Sequence, residues 1–101
     1  MPRALSASRV TVPIERQADY IATLARLAVR MEARGEHVWL FRDPARPDAF
    51  LECSESRGAE SHRSRRAPGA EESALERRLE SIASYAPESR VLWEEVSLEE
   101  R

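Results

Sequence analysis

Glu52 sits between Leu51 and Cys53 in an otherwise apolar run, and it is the carboxylate with most reason to be chemically active. A carboxylate there either points inward, as an acid–base candidate in a sheltered site, or pairs with Arg42 across a hairpin. His62 opens the basic run HRSRR and is the first catalytic candidate. An imidazole can serve as a general base near neutral pH, and in a basic run it can equally be a solvated side chain. His37 follows Gly35 and Glu36 at the head of an apolar run and shares parity with Trp39. That parity makes it either a pocket residue or a strand-end surface residue. Cys53 has no activating neighbour in the sequence and reads as a packed, inert thiol.

The aromatic residues Trp39, Phe41, Phe50 and Trp93 supply a possible wall for a flat ligand, with core and interface packing as the commoner use of such side chains. Two widely separated histidines and one cysteine do not form a zinc pattern, so no metal is expected. Arg57, Arg63, Arg65 and Arg66 cluster around His62 without interleaved aromatics. They read as a solvated basic face paired with Glu60, Glu71 and Glu72, not as a stacking platform for nucleic acid.

Periodicity places these residues on elements. Ser8 to Ile14 alternates, with Val10, Val12 and Ile14 on one face, and predicts a half-buried strand; residues 1–7 read as a loose segment. Glu15 to Arg34 carries Tyr20, Ile21, Leu24, Leu27, Ala28 and Met31 at helical spacing, and Gly35 is placed to close that helix. Residues 37–42 and 49–55 predict a hairpin around a turn at 43–48 that holds Pro44 and Pro47. A short irregular helix over 56–66, a confident helix over 71–86 with the stripe Leu75, Leu79, Ile82, Ala83 and Ala86, and a last strand over 90–98 complete the chain before a charged tail at 99–101.

The 101 residues make one domain, spanning 8–98. Sixteen basic residues, all arginine, nearly balance eighteen acidic ones, so no global field favours nucleic acid. The absence of lysine excludes a Schiff-base lysine and a P-loop, and the arginine bias fits a GC-rich genome. One cysteine allows no internal disulfide, and no apolar run approaches membrane-spanning length, which together lead to the expectation of a cytoplasmic protein with no membrane partner.

The order strand–helix–strand–strand–helix–strand predicts an α+β fold of the ferredoxin-like, split βαβ type: a four-stranded antiparallel sheet with both helices on one face. Both parities of the hairpin and of the last strand carry large apolar groups. Val38 and Leu40 oppose Trp39 and Phe41, and Leu92 opposes Val91 and Trp93. A sheet apolar on both faces implies a homodimer, two sheets packed face to face by a two-fold axis.

Three features resemble the dimeric α+β barrel superfamily, and within it the antibiotic-biosynthesis-monooxygenase-like proteins. They are Gly35 with the HVWLFRDPARPDAFLE hairpin, the segment AESHRS at 59–64, and the closing helix and strand. The W-L-F-R-D hairpin is also similar to a barrel domain appended to some major facilitator transporters. The resemblance implies cofactor-independent oxidation of a small aromatic or quinol substrate inside each barrel, with His62 matching a helical histidine of the family and Trp39, Phe41, Phe50 and Trp93 around the substrate. The strand pattern adds Glu52 as a catalytic candidate and His37 as a substrate-binding one. A non-catalytic small-molecule-binding or assembly module of the same fold is the alternative it leaves open. Heme-degrading relatives use a histidine on the later helix and a nearby asparagine. This chain has neither, so no heme and no other cofactor is expected. It also has Cys53 and Ser54 where members often carry an aromatic residue.

Overall fold

Alternating residues and chain breakers set the elements in order. The structure, a computed structural model, describes residues 3–56, 69–89 and 91–99. Strand β1 (Ala4–Thr11) leads through a 3-10 turn (Ile14–Arg16) into helix α1 (Gln17–Ala33). Strands β2 (His37–Asp43) and β3 (Arg46–Ser56) form the hairpin, followed by helix α2 (Ala70–Ile82) and the short strands β4 (Ser84–Tyr85) and β5 (Val91–Glu94). Gly35 takes φ +88°, a left-handed conformation that favours glycine, and its N–H and that of Glu36 bond back to Glu32 and Met31 to close α1.

The sheet is antiparallel in the order β2-β3-β1-β4, with β5 also on β1. β4 pairs with the Val10–Thr11 end of β1 and β5 with the Ala4–Ala7 end, so two short pieces share the fourth-strand position. This is the expected α+β ferredoxin-like arrangement. The core joins Val10, Val12 and Phe50 of the β1–β3 side to Tyr20, Leu24, Leu27 and Met31 of α1 and to Leu75, Leu79 and Ile82 of α2. Ion pairs stitch the antiparallel helices along their length: Asp19 with Arg78, Arg30 with Glu71, and Arg34 with Glu72.

Several boundaries differ from the sequence expectation. Residues Ala4–Ala7 are part of β1, because both β3 and β5 pair with them. Ile14 leaves the strand for the 3-10 turn and stays exposed. The hairpin turn is tighter than 43–48: Asp43 already faces Arg46, and the Asp43 carboxylate accepts the Ala45 N–H at 2.9 Å. Helix α2 stops at Ile82, since Ala83 is extended and Ser84–Tyr85 pair with β1. The last strand ends at Glu94, after which the Glu95 N–H still bonds the Arg3 carbonyl at 2.8 Å; Val96 and Leu98 are exposed. The helix expected over 56–66 falls almost wholly outside the described residues.

Candidate functional site

The sheet face under the helices is not uniformly apolar. Alternation turns Phe50, Glu52 and Ser54 of β3 inward, and the register sets Glu52 between Ser8 of β1 and Leu40 of β2. Tyr20 projects from the buried stripe of α1, with its ring 5.4 Å from that of Phe50, and donates its hydroxyl to Glu52 Oε2 at 2.5 Å. Tyr85 of β4 donates to the same oxygen at 2.7 Å. Among the described residues, Oε1 of Glu52 accepts no hydrogen bond. A buried tyrosine needs a partner for its hydroxyl, and here one carboxylate oxygen satisfies two of them. Burial, then the Glu52 charge, raises the pKa of Tyr20 far above the ordinary tyrosine value, so it stays a donor.

Glu52 lines a cleft of about 200 Å³ between the sheet and the helices. Its polar side is made by Glu52, Tyr85, Ser6, Ser8, Ser54 and Glu76. Leu24, Leu27 and Met31 of α1, Val38 of β2 and Leu79 of α2 supply the apolar side. An apolar slot with a few converging polar groups can hold a small ring and orient one polar substituent on it.

Of the two settings open to Glu52, the inward one is observed. The pair with Arg42 is not formed. Arg42 stands opposite Phe50, lies 5.1 Å above that ring, and donates to Gln17 Oε1 at 3.2 Å. Phe50 is in the core, so the four aromatic residues do not make one wall. His37, Trp39, Phe41 and Trp93 lie on the opposite face of the sheet from Glu52: Trp39 is in register with Cys53, Phe41 with Leu51, and Trp93 with Leu5. The His37 ring is 5.1 Å from that of Trp39. Two of these residues are widely exposed, Phe41 at 55% and Trp93 at 60%. Cys53 is buried, and burial followed by the Glu52 charge raises its thiol pKa, which suits a packed thiol. His62 and Arg57, Arg63, Arg65 and Arg66 lie outside the described residues.

Sequence reasoning missed Tyr20, Tyr85, Ser8 and Glu76. Tyr20 was legible only as a core position, although its hydroxyl on a buried stripe signalled a partner. Tyr85 was hidden by a helix extended too far.

No family model matches the chain, and no curated protein matches it in sequence. Solved structures do. SnoaB, a cofactor-independent oxygenase from Streptomyces nogalater, superposes with a TM-score of 0.77 at 17% identity, over 99% of this chain and 100% of SnoaB. A candidate antibiotic biosynthesis monooxygenase from Bordetella bronchiseptica gives 0.69 at 19% identity, over 97% and 99% of the two chains. One from Chloroflexus aurantiacus gives 0.69 at 16% identity, over 100% and 97%. The chain shares the α+β fold of these structures. The superpositions run over nearly the whole of each chain compared. At such identities the likeness concerns the fold, and the chemistry must be argued from the residues. Among the described residues no three His, Cys, Asp or Glu side chains gather as a metal site, and no helix is long and apolar enough to cross a membrane.

Proposed function

We propose that the chain is a homodimeric, cofactor-independent monooxygenase that oxidises a small aromatic or quinol-type substrate held beside Glu52. The observation that carries this reading is the inward Glu52 carboxylate, fixed through one oxygen by Tyr20 and Tyr85 and open at the other within a cleft. Electron-rich rings can reduce dioxygen themselves once deprotonated, so the protein need supply only orientation, a sheltered slot and a base. In this reading Glu52 Oε1 takes the proton that activates the ring. For a ring methylene the balance is R₂CH₂ + O₂ → R₂C=O + H₂O, one oxygen atom entering as the new carbonyl and the other leaving as water. Tyr20 and Tyr85 hold the base in place. His62 belongs to the proposal as a second acid–base group.

The dimer rests on the other face of the sheet. Trp39, Phe41, Leu51, Val91 and Trp93 are all partly or widely exposed there, and among the described residues no element covers them. A second copy packed sheet to sheet would bury them, which makes His37, Trp39, Phe41 and Trp93 contacts between copies in our reading. The single unbridged cysteine fits a reducing compartment, and we place the dimer in the cytoplasm. The alternative, a non-catalytic binding or assembly module, is favoured by one observation: the tyrosine–glutamate contacts also tie α1 and β4 to the sheet and have structural value without turnover. Oxygen uptake by the purified protein with anthrone- and hydroquinone-type compounds separates the two. Uptake above the uncatalysed rate supports the enzyme, and none across the panel supports the module.

A further inference from the structure

We infer that Arg9 of each copy pairs with Glu88 of the partner subunit, two reciprocal ion pairs that set how one sheet lies on the other. This rests on the sheet-to-sheet dimer proposed above. The sheet face away from Glu52 holds an open hollow of about 800 Å³, lined mostly by apolar residues such as Leu5, Leu51, Val91 and Trp93. Its charged lining residues, among those described, are Arg9 and Glu88. Parity puts Arg9 there, opposite Leu51 and two positions along β1 from Ala7. Glu88 reaches the same hollow because the Ala86 N–H bonds the Arg9 carbonyl at 2.9 Å. The Ser89 N–H then bonds the Ala86 carbonyl at 3.0 Å, closing a turn that carries Glu88.

Neither charge is answered within the chain. Among the described residues the Arg9 and Glu88 side chains form no hydrogen bond or ion pair. Other charges on this face are placed differently: Arg3 holds Glu55 at 3.1 Å, and Asp43 stands opposite Arg46 at the hairpin end. A second copy laid on the face takes Arg9 and Glu88 out of water, and a charge buried alone is far costlier than one that is paired. A two-fold interface answers residue i with residue j and j with i, so a cation and an anion left unpaired beside each other make the surface complementary to itself. With the axis between them, each meets the opposite charge of the other copy. A register that sets Arg9 on Arg9 buries like charges and is rejected. The apolar residues supply the contact area, and the ion pairs supply its register.

The test is sedimentation of the full chain carrying Arg9→Glu or Glu88→Arg, each alone and the two mixed. Either variant alone sets like charges across the interface twice, and its dimer is expected to be weaker than the wild type by about 100-fold or more. An equimolar mixture places opposite charges at both contacts and is expected to form a heterodimer within about tenfold of wild-type affinity. If Arg9 and Glu88 instead paired within one chain, the mixture would not recover, because each chain would keep its own clash. Single variants that dimerise like the wild type would overturn the inference, as would a mixture that fails to recover. Equal recovery with Trp93→Arg in place of Glu88→Arg would also overturn it, by showing general attraction between charged faces. Both residues are exposed, so the reversed charges are expected to leave the fold intact. Should one disturb it, Arg9→Gln and Glu88→Gln carry the test. Each is expected to weaken the dimer about tenfold, and no weakening in either counts against the pair. A wild type that sediments as a monomer removes the dimer itself, whereas a dimeric wild type with indifferent variants removes only the ion pairs.

Discussion

Tyr85 and Glu52 are 33 positions apart in the chain and 2.7 Å apart in the fold, with the phenol hydroxyl donating to Oε2. The contact exists because α2 stops at Ile82 and the chain turns extended, which lets Val10 of β1 pair with Tyr85. Tyr20 reaches the same oxygen from α1, so a helix and two strands converge on one carboxylate. An isolated inward carboxylate would be costly in this layer, and the two hydroxyls make it tolerable.

Removing either hydroxyl should therefore register as lost stability. Tyr20→Phe and Tyr85→Phe are each expected to lower unfolding free energy by about 1.5–3 kcal/mol, the usual worth of a hydrogen bond to a charged group. Because the two donors share one oxygen, the double variant should lose less, or more, than the sum of the singles by a measurable coupling. Denaturant unfolding of the four proteins checks this. Strict additivity would show that the hydroxyls act independently.

Tyr20 also predicts an alkaline limit. Its folded pKa lies far above the unfolded value of about 10, so the folded state keeps a proton that the unfolded chain releases. The associated stability is complete below about pH 10 and declines as pH climbs beyond it. Tyr20→Phe should flatten that decline by close to one proton, read as the slope of unfolding free energy against pH. An unchanged slope would mean that Tyr20 ionises freely in the folded protein.

Much of this arrangement was legible in the residues, and what was not has a physical cause. The α1 stripe, the Gly35 stop and the opposed apolar faces of β2 follow from side-chain period alone, and those elements formed as expected. Period cannot say where a helix yields to a strand, and at Ala83–Tyr85 the pairing with β1 overrode a stripe that continued to Ala86. Period also makes Glu52 inward or outward only relative to its neighbours. Phe50 entering the core fixed the sign, and it sent Trp39, Phe41 and Trp93 to the other side. A hydroxyl on a buried stripe signals that a partner exists, but not which distant residue it is.

The junction of α1 with β2 carries a buried carboxylate. Glu36 is only 7% exposed, and Arg34 bridges it to Glu72 of α2, with Nε donating at 2.5 Å to Glu36 and Nη1 at 2.8 Å to Glu72. Arg34→Ala should cost about 1.5–3 kcal/mol, whereas Arg16→Ala, whose ion pair with Asp19 is more exposed, should cost less than about 1 kcal/mol. Thermal or denaturant unfolding compares them, and equal effects would contradict the importance given to burial.

The exposed sheet face predicts assembly. The wild type should sediment as a dimer at micromolar concentration, and Trp93→Glu or Phe41→Asp, each placing charge in that face, should shift it to monomer with secondary structure intact. A wild type that sediments as a monomer would remove the dimer.

The most direct measurement of the central claim compares oxygen consumption by the wild type and Glu52→Gln with a neutral quinol- or anthrone-type substrate, without added cofactor or metal. If Glu52 is the base, the wild type turns over and the variant loses about 10²–10⁴-fold in rate, the usual contribution of a positioned general base, while remaining folded. Equal rates in the two proteins would contradict it.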